Sequence, residues 1–380
     1  MRNPCLFLGI VLLGTMAGQA RSQTVDNRVQ PAIHFELESQ PSGLTYIHLG
    51  DVSIGGSRGD AVFDTGAEYS SLTAAASREA VLVVARSIPL RTFNGRVRAD
   101  LSRPAEIIMQ GEYRTSGAVL TLPDEIDWPT GRLVSAAAFP AFSIDFDRQN
   151  IIVGHASLAL KRLEGGKREG VYFVEVRGRR HIHRFIIDSG ATGSRMTAEA
   201  MSDLSELPGV TRTVRSYLSA DGPGLERGIV AMSGLPSGDQ RLPAMVFQIV
   251  EADAVPIGGF SGLIGLRNMQ ALNWHFDGAS GTVSAAVRSV WVDGYPVVGF
   301  YARHTQETVT VTGLIEGGAA ARADVRIGDR IVSLNGLQPF GDSYQAYLET
   351  GNCACSDAYV FVVVRDGQTL SLGAEQADLF

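Results

Sequence analysis

The chain has no excess of positive charge and no long apolar run after its N-terminal stretch. A formal net charge of −7 argues against nucleic acid as a partner. Without a second apolar run long enough to cross a bilayer, we expect no stable membrane insertion. Its 380 residues predict two or three domains, and its 43 glycines suit a turn-rich, mainly β protein.

The N-terminus has the layout of a cleavable secretory signal. Arg2 precedes an apolar stretch from about Cys5 to Ala17, and small residues follow it. We therefore expect residues 1–20 to be a signal peptide, which predicts a soluble protein that is periplasmic or secreted. Cys5 opens the apolar stretch instead of marking a cleavage point, so a lipid anchor is not expected.

Few cysteines remain for covalent or metal chemistry. Of the 3 cysteines, only Cys353 and Cys355 follow the signal sequence. In an exported protein a disulfide between them is one interpretation. Because bridging across a single residue is strained, we instead expect an unbridged pair near a loop. No histidine falls at a useful spacing beside them, and we expect neither a metal nor another cofactor.

One short motif occurs twice in the same setting. In each copy an apolar, strand-like run delivers an aspartate into a glycine-containing turn. The motif residues are Asp64, Thr65 and Gly66 in the first copy and Asp188, Ser189 and Gly190 in the second. A single copy would mean little, since Asp and Gly are common in turns. Two equivalent copies predict a pair of carboxylates that two-fold symmetry can bring together.

The repeat extends beyond the two motifs. At the offset that aligns the aspartates, matched pairs are Ala67 with Ala191, Ser70 with Ser194 and Thr73 with Thr197. Each half shows a β-type run (44–49; 171–176), the aspartate strand, a helix-like segment (73–85; 197–207) opened by a Thr suited to N-capping, and a hairpin signal. A later block, residues 133–135, corresponds to 263–265.

These motifs resemble those of aspartic peptidases of the retropepsin/pepsin type, in a bacterial two-lobe form. The resemblance covers roughly residues 40–290 and implies two pseudo-symmetric acid-protease β-barrel lobes at 30–155 and 160–290. The family's hydrophobic-hydrophobic-Gly element behind the catalytic loop is matched at 263–265. The first half departs from that pattern at Ser135, so we expect any asymmetry of the aspartate pair to arise there.

The resemblance implies an exported endopeptidase that acts on polypeptides. Asp64 and Asp188 would be catalytic, sharing one proton and activating water. Thr65, Gly66, Ser189 and Gly190 would support the two catalytic loops. The expected substrate flaps are the hairpin turns at Phe93, Asn94 and Gly95 and at Asp221 and Gly222. Since both aspartates lie in one chain, we expect a monomer.

Two alanines bear on the expected pH dependence. The family often has Ser or Thr after the motif glycine, where a hydroxyl stabilises the ionised aspartate. Here Ala67 and Ala191 occupy both places. Without that donor the carboxylates should titrate at higher pH, which predicts an optimum in the mildly acidic to neutral range.

The C-terminal segment is similar to a PDZ domain. Over residues 293–376, a β-type run leads into a Gly-Gly-Ala turn and then into a Gly-Asp-Arg-Ile motif that ends at Asn335 and Gly336. The resemblance implies an α/β module that binds the C-termini of peptides or proteins by strand addition. Val298, Gly299 and Phe300 would form the carboxylate-binding loop, beside a helix at 343–349.

Other functions remain open from the sequence. The main alternative is a non-catalytic peptide-binding scaffold with a degenerate peptidase fold, in which only the PDZ domain works. A serine peptidase joined to a PDZ domain is a further alternative, but no set of Ser, His and Asp is placed convincingly in the sequence. For the basic stretch 177–184 we expect a solvated strand edge or hairpin. Its His181 and His183 alternate on one strand face, where an ion site is the alternative to the solvated face that we expect.

Overall fold

The computed structural model describes residues 31–39, 45–92, 95–123, 129–154, 160–219, 222–252, 255, 258–288, 298–304, 308–340 and 358–375. The chain is mainly β, as expected. The helices in the described residues are short, namely α1 (Ala74–Ser77), α2 (Ala198–Ser205), α3 (Leu266–Met269), α4 (Ala319–Arg322) and a 3₁₀ turn (Ala136–Ala138). Among the described helices, none is long and apolar enough to cross a membrane.

Sheet 1 is built from the first half of the chain. In spatial order its described strands are β6 (Val84–Thr92), β7 (Gly95–Ser102), β10 (Val119–Thr121), β5 (Ser70–Leu72), β11 (Arg132–Ser135), β4 (Ser57–Asp64), β3 (Thr45–Ile54), β8 (Ala105–Met109) and β9 (Tyr113–Gly117), with β2 (Glu36–Ser39) paired to β3.

Sheet 2 joins the second half to the C-terminal segment. In spatial order its described strands are β15 (Gly165–Arg168), β16 (Val171–Arg177), β17 (Ile182–Asp188), β24 (Gly262–Gly265), β18 (Ser194–Thr197), β23 (Met245–Val250), β20 (Gly222–Ser233), β19 (Thr211–Ser219), β28 (Val309–Ile315), β29 (Arg330–Leu334), β30 (Ala358–Arg365) and β31 (Gln368–Glu375), with β27 (Phe300–His304) on β28.

Sheet 3 takes strands from both halves. Its described strands are, in order, β1 (Ala32–His34), β13 (Asn150–Val153), β12 (Ala141–Asp145), β25 (Leu272–Asp277), β26 (Thr282–Val287) and β14 (Lys161–Arg162). A separate pair is β21 (Pro236–Ser237) with β22 (Gln240–Arg241). In the centre of sheet 3, Phe142 of β12 stacks on Phe276 of β25 with ring centroids 4.8 Å apart.

The strand order of sheet 1 recurs in sheet 2. The series β6-β7-β10-β5-β11-β4 has the same sequence of neighbours as β19-β20-β23-β18-β24-β17. In both series the strand carrying the aspartate pairs in parallel with the later strand, β11 with β4 and β24 with β17. The duplication read from the sequence therefore has a counterpart in the order of the strands.

The expected closed barrels are wrong for the part of the chain described. None of the sheets closes on itself, since β6 and β9 end sheet 1 and β15 and β31 end sheet 2. Pro89 lies in the edge strand β6, and proline cannot donate to a further strand. In sheet 2 the equivalent edge, on β19, is taken by β28 of the C-terminal segment.

The first of the two expected helices is much shorter than the pattern indicated. Thr73 and Thr197 do cap α1 and α2, accepting from the backbone nitrogens of Ala76 and Ala200. However, α1 ends at Ser77, and the chain then becomes extended. The β-branched residues that follow favour this, since they lose side-chain freedom in a helix.

The hydrophobic core has one large cluster and separate smaller ones. The large cluster runs through sheets 1, 2 and 3, while the C-terminal residues from Val298 onward form a cluster of their own around Tyr359 and Phe361. The C-terminal segment thus has the independent core that a module requires. The expected signal peptide 1–20, the helix at 343–349, Cys353 and Cys355 lie outside the described residues.

Candidate active site

The two aspartates are the last residues of β4 and β17. Asp64 is 0 % exposed and Asp188 is 1 % exposed. Each ends a strand whose parallel partner fixes its position, because Asp64 is in register with Ser135 and Asp188 with Gly265. Both carboxylates are therefore held inside the protein, at the ends of the two strands that the repeated motif predicted.

Thr65 and Ser189 lock the two aspartate loops together. The hydroxyl of Ser189 accepts from the backbone nitrogen of Thr65 at 3.0 Å, and the hydroxyl of Thr65 accepts from that of Ser189 at 2.9 Å. Each hydroxyl also donates across, from Thr65 to the Ile187 carbonyl at 2.8 Å and from Ser189 to the Phe63 carbonyl at 3.1 Å. Four hydrogen bonds therefore join the two loops, and the supporting role of both residues in catalysis stays a prediction.

Gly66 and Gly190 allow the loops to approach. A Cβ on Gly66 would lie 2.5 Å from the carboxylate of Asp188, and a Cβ on Gly190 would lie 2.5 Å from that of Asp64. Each glycine thus lies against the opposite carboxylate, and no larger residue would fit. Glycine is needed at both positions because the opposite carboxylate is so close. Backbone conformation is not the reason, since neither glycine has a positive φ.

The two carboxylates share a hydrogen-bond donor. The Gly190 nitrogen donates to Asp188 Oδ1 at 3.0 Å and lies 3.2 Å from Asp64 Oδ1, which also accepts from the Gly66 nitrogen at 2.7 Å. Asp64 Oδ2 is buried with no donor among the described residues. A proton held between the carboxylates would supply the donor that this oxygen lacks.

Burial raises the pKa of both carboxyls. Burial, and then the charge of Asp188, hold the pKa of Asp64 well above its ordinary value. Burial raises the pKa of Asp188 to about 6, although bonds from the Gly190 and Ala191 nitrogens and the charge of Arg195 oppose it. Two carboxylates placed in this way cannot both ionise easily, so near neutral pH they share a proton.

Ser135 fits behind the first loop and makes a bond that glycine could not. Its nitrogen donates to Ser70 Oγ at 3.0 Å, as Gly265 donates to Ser194 Oγ at 2.8 Å in the second half. Its hydroxyl donates to the Ala67 carbonyl at 2.5 Å. At Gly265 a Cβ would lie 2.6 Å from the Ala191 carbonyl and closer still to that of Gly193.

Ala67 and Ala191 face apolar surroundings. Both are buried, in two separate small hydrophobic clusters. Neither offers a hydroxyl to the aspartates, whose hydrogen-bond donors among the described residues are backbone N–H groups of the two loops. This is consistent with the higher titration range that the sequence predicted.

Both expected flap turns join antiparallel strands. In the first, β6 and β7 pair up to Thr92 with Gly95, and in the second, β19 and β20 pair up to Ser219 with Gly222. The tip residues Phe93, Asn94 and Asp221 lie outside the described residues. The structure therefore has hairpins at both positions, while their role as flaps stays a prediction.

The expected carboxylate-binding loop precedes β27. Val298 is buried, Gly299 has a φ of 84°, and Phe300 packs its ring against Phe361 with centroids 6.3 Å apart. A Cβ on Gly299 would lie 2.9 Å from the Cα of Gly318. Positive φ and close packing together account for glycine at this position.

The solvated face expected for His183 is wrong. His183 is 3 % exposed, and its ring lies 2.8 Å from Asp203 Oδ2 and 3.0 Å from Ser261 Oγ. Asp203 also accepts from the backbone nitrogens of Arg180 and His181, which closes the turn between β16 and β17. The basic stretch is thus a hairpin tied to α2, and its alternating pattern gave no sign of the buried acid.

Glu68 is a residue that the sequence reasoning missed. It lies two residues after Gly66, its Oε2 is buried without a partner among the described residues, and its side chain packs against Gly170. Burial raises the pKa of Glu68 to about 6. Its counterpart Thr192 instead bonds to the backbone of Thr45. Its acidic side chain close to the motif was the sequence feature that could have identified Glu68.

One described cluster has donors suited to a metal. Oxygens of Glu36 and Glu38 and a ring nitrogen of His48 lie within 4.8 Å of one another. The His48 ring is already 3.3 Å from oxygens of both Glu38 and Asp60. These contacts within the sheet already engage the His48 ring, and we assign no metal to the cluster.

No protein-family model and no curated protein matches this chain. The function must therefore be argued from the residues of the site.

Proposed function

We propose that the protein is an exported aspartic endopeptidase with a C-terminal PDZ domain. In this proposal residues 30–155 and 160–290 are two pseudo-symmetric lobes, and 293–376 is the PDZ domain. Asp64 and Asp188 form the catalytic pair. The reciprocal bonding of two aspartate loops from opposite halves of the chain is the observation that carries the proposal.

The cost of the buried pair favours an enzyme over a scaffold. Two desolvated carboxylates in contact are unfavourable, and a fold that only bound peptides would have no use for them. A strongly raised pKa of a group that the surrounding structure holds in place is typical of catalytic residues. The alternative, a peptide-binding scaffold with a degenerate peptidase fold, leaves Asp64 and Asp188 without a role.

The geometry suits general acid–base hydrolysis by water. The ionised aspartate takes a proton from water, which attacks the carbonyl carbon of the peptide bond. The protonated aspartate donates its proton to the carbonyl oxygen, which gives a tetrahedral diol. Collapse of the diol breaks the C–N bond, and the leaving amine takes up a proton. No covalent enzyme intermediate forms, and no metal or cofactor is required.

The C-terminal segment is proposed to bind the carboxyl ends of polypeptides. Its separate hydrophobic cluster and the tight turn at Gly299 support a module of this kind. An incoming chain would add as a strand beside β27, with its terminal carboxylate at the loop formed by Val298, Gly299 and Phe300.

The remaining features of the proposal follow from the resemblance. The hairpins β6–β7 and β19–β20 would cover the substrate, and one chain would suffice for activity. Localisation in the periplasm or outside the cell rests on the N-terminal sequence pattern alone.

A peptide-library digest tests the proposal. Purified wild type, Asp64→Asn and Asp188→Asn are each incubated with the library at mildly acidic pH, and the products are identified by mass spectrometry. We expect the wild type to cut internal bonds, and either substitution to lower the rate by about 10²- to 10⁴-fold.

Asp60→Asn serves as the matched control, because it makes the same chemical change at an exposed aspartate. It should cleave as the wild type does. Cleavage that survives both Asp64→Asn and Asp188→Asn would exclude the aspartate pair as the catalyst. A wild type that binds library peptides and never cuts them would support the scaffold.

A further inference from the structure

The second-half hairpin is attached to the C-terminal segment by strand pairing. Along the outer edge of β19, Tyr217, Leu218 and Ser219 pair with Ile315, Leu314 and Gly313 of β28. The Glu316 nitrogen extends the contact by donating to the Ser216 carbonyl at 3.0 Å. The equivalent edge of the first-half hairpin, on β6, has no strand partner among the described residues. Only one of the two hairpins is therefore held from outside.

The attached part of this hairpin is separated from its base by an irregularity. Arg215 pairs with Ile229, but the next pair is Tyr217 with Gly224, so residues 225–228 bulge out of the ladder. Bulges bend a strand and redirect what lies beyond them. The irregularity therefore separates the outer part of the hairpin from its base, where β20 pairs with β23.

The same strand, β28, also borders the proposed peptide-binding edge. One side of β28 pairs with β27, and the other side pairs with β19 and β29. Within the described residues, β27 has no strand on its outer side. The series from that open edge to the hairpin is thus β27, β28, β19 and β20 in one continuous sheet.

The turn that opens β27 suits a chain end with a free carboxylate. The carbonyls of Val298 and Gly299 already accept hydrogen bonds within the segment. Their donors are the Ala320 nitrogen, at 2.8 Å, and the Ile315 nitrogen, at 2.9 Å. Among the described residues, the backbone nitrogens of Val298 and Gly299 have no acceptor, and N–H donors suit an anion and not an amine.

We propose that a chain end bound at β27 is an activator of the Asp64–Asp188 pair and not its substrate. This proposal rests on the proposed function. The bound chain orders β27 and β28, and the pairing of β28 with β19 then holds the outer hairpin in its docked position over the substrate. Release of that pairing leaves the hairpin free to open at the bulge.

Two substitutions at Glu316 distinguish loss of the bond between β28 and β19 from loss of the side-chain charge. Glu316→Pro removes the N–H that bonds to Ser216, whereas Glu316→Gln keeps it. The substrate is an internally quenched peptide with an amidated C-terminus, which cannot occupy the proposed carboxylate site. The probe is a mixture of pentapeptides with free carboxylates, and the same mixture amidated is its control.

We expect the free-carboxylate mixture to raise the cleavage rate of wild type and of Glu316→Gln about fivefold or more. It should leave Glu316→Pro unchanged, and the amidated mixture should stimulate none of them. Stimulation of Glu316→Pro equal to that of the wild type, or no stimulation of the wild type, would overturn the proposal.

A disulfide across the two strands provides a second test that does not depend on Glu316→Pro folding. Leu218→Cys with Leu314→Cys, in a background with Cys353→Ser and Cys355→Ser, places cysteines on directly opposed residues. The oxidised protein should cleave at the stimulated rate without any peptide, and reduction should restore the dependence. An oxidised protein that still needs the peptide contradicts the coupling.

Hydrogen exchange distinguishes failure of the coupling from failure of the peptidase assignment. In Asp64→Asn, which cannot consume the probe, the free-carboxylate mixture should slow amide exchange in residues 211–219. If exchange is slowed but the wild type never cleaves a peptide, the coupling is supported and the proposed peptidase function is excluded. Unchanged exchange in a protein that does cleave peptides removes only the coupling.

Discussion

Thr65 and Ser189, from opposite halves of the chain, each accept a hydrogen bond from the backbone nitrogen of the other, at 2.9 and 3.0 Å. Both residues are fully buried, so water cannot replace these bonds. The two aspartate loops are therefore held as one unit, and the relative position of the carboxylates depends on two hydroxyl groups.

Removing either hydroxyl should destabilise the protein. Thr65→Val keeps the shape but leaves the Ser189 nitrogen without an acceptor, at a cost of about 1–3 kcal/mol in the free energy of unfolding. Thr65→Ser retains the hydroxyl and should cost less. Chemical unfolding measures both variants. A Thr65→Val protein as stable as Thr65→Ser would mean that the cross-loop bonds contribute little.

The positions behind the two loops should respond differently to substitution. Gly265→Ala forces a Cβ against the carbonyls of Ala191 and Gly193, and we expect a loss of stability of about 2 kcal/mol or more. Ser135→Ala removes only the bond to the Ala67 carbonyl and should cost about 1 kcal/mol. Thermal unfolding of the two variants compares them. Equal effects would show that the two sites are packed alike.

The aspartate pair should make the protein less stable as the pH rises. Folding raises the pKa of both carboxyls, for Asp188 to about 6, so the folded protein binds protons more tightly than the unfolded chain. That contribution is present below pH ~4 and is lost as the pH rises through about 6. Asp188→Asn should therefore stabilise the protein at pH 7.5, by something on the order of 2 kcal/mol, and much less at pH 4. Chemical unfolding at both pH values measures the difference.

Asp203 should show the opposite dependence. Burial by itself would raise the pKa of Asp203, but bonds from His183 and from the turn hold that pKa well below its ordinary value. Its contribution is present above pH ~4 and is lost as the pH falls further. Asp203→Asn should cost roughly 3–5 kcal/mol at pH 7, and less as the pH is lowered below 4. A loss that is the same at both extremes would rule out the charge as the cause.

The sequence predicted those features that local pattern determines. The paired motif located Asp64 and Asp188, and the threonine caps located the starts of α1 and α2. The pairing of both hairpin strands also followed, because turn residues specify hairpins locally.

What the sequence could not predict depends on contacts between distant segments. Nothing near His183 indicates that Asp203 will bury it, and nothing in 211–219 indicates that β28 will pair along its edge. The hydrogen bond from Ser135 to the Ala67 carbonyl was also not foreseen, because it depends on the position of that carbonyl in the folded loop. The prediction of β-barrels was wrong for the same reason, since the closure of a sheet depends on which of its edge strands meet.

The pH dependence of peptide cleavage tests the central claim most directly. Rates for a peptide taken from the library digest are measured from pH 3 to 9 with wild type, Asp64→Asn and Asp60→Asn. A pair that shares one proton predicts a bell-shaped profile with its maximum in the mildly acidic to neutral range, for wild type and Asp60→Asn alike, and near-complete loss in Asp64→Asn. Cleavage by Asp64→Asn with an unchanged profile, or a wild-type maximum at strongly acid pH, would contradict the account.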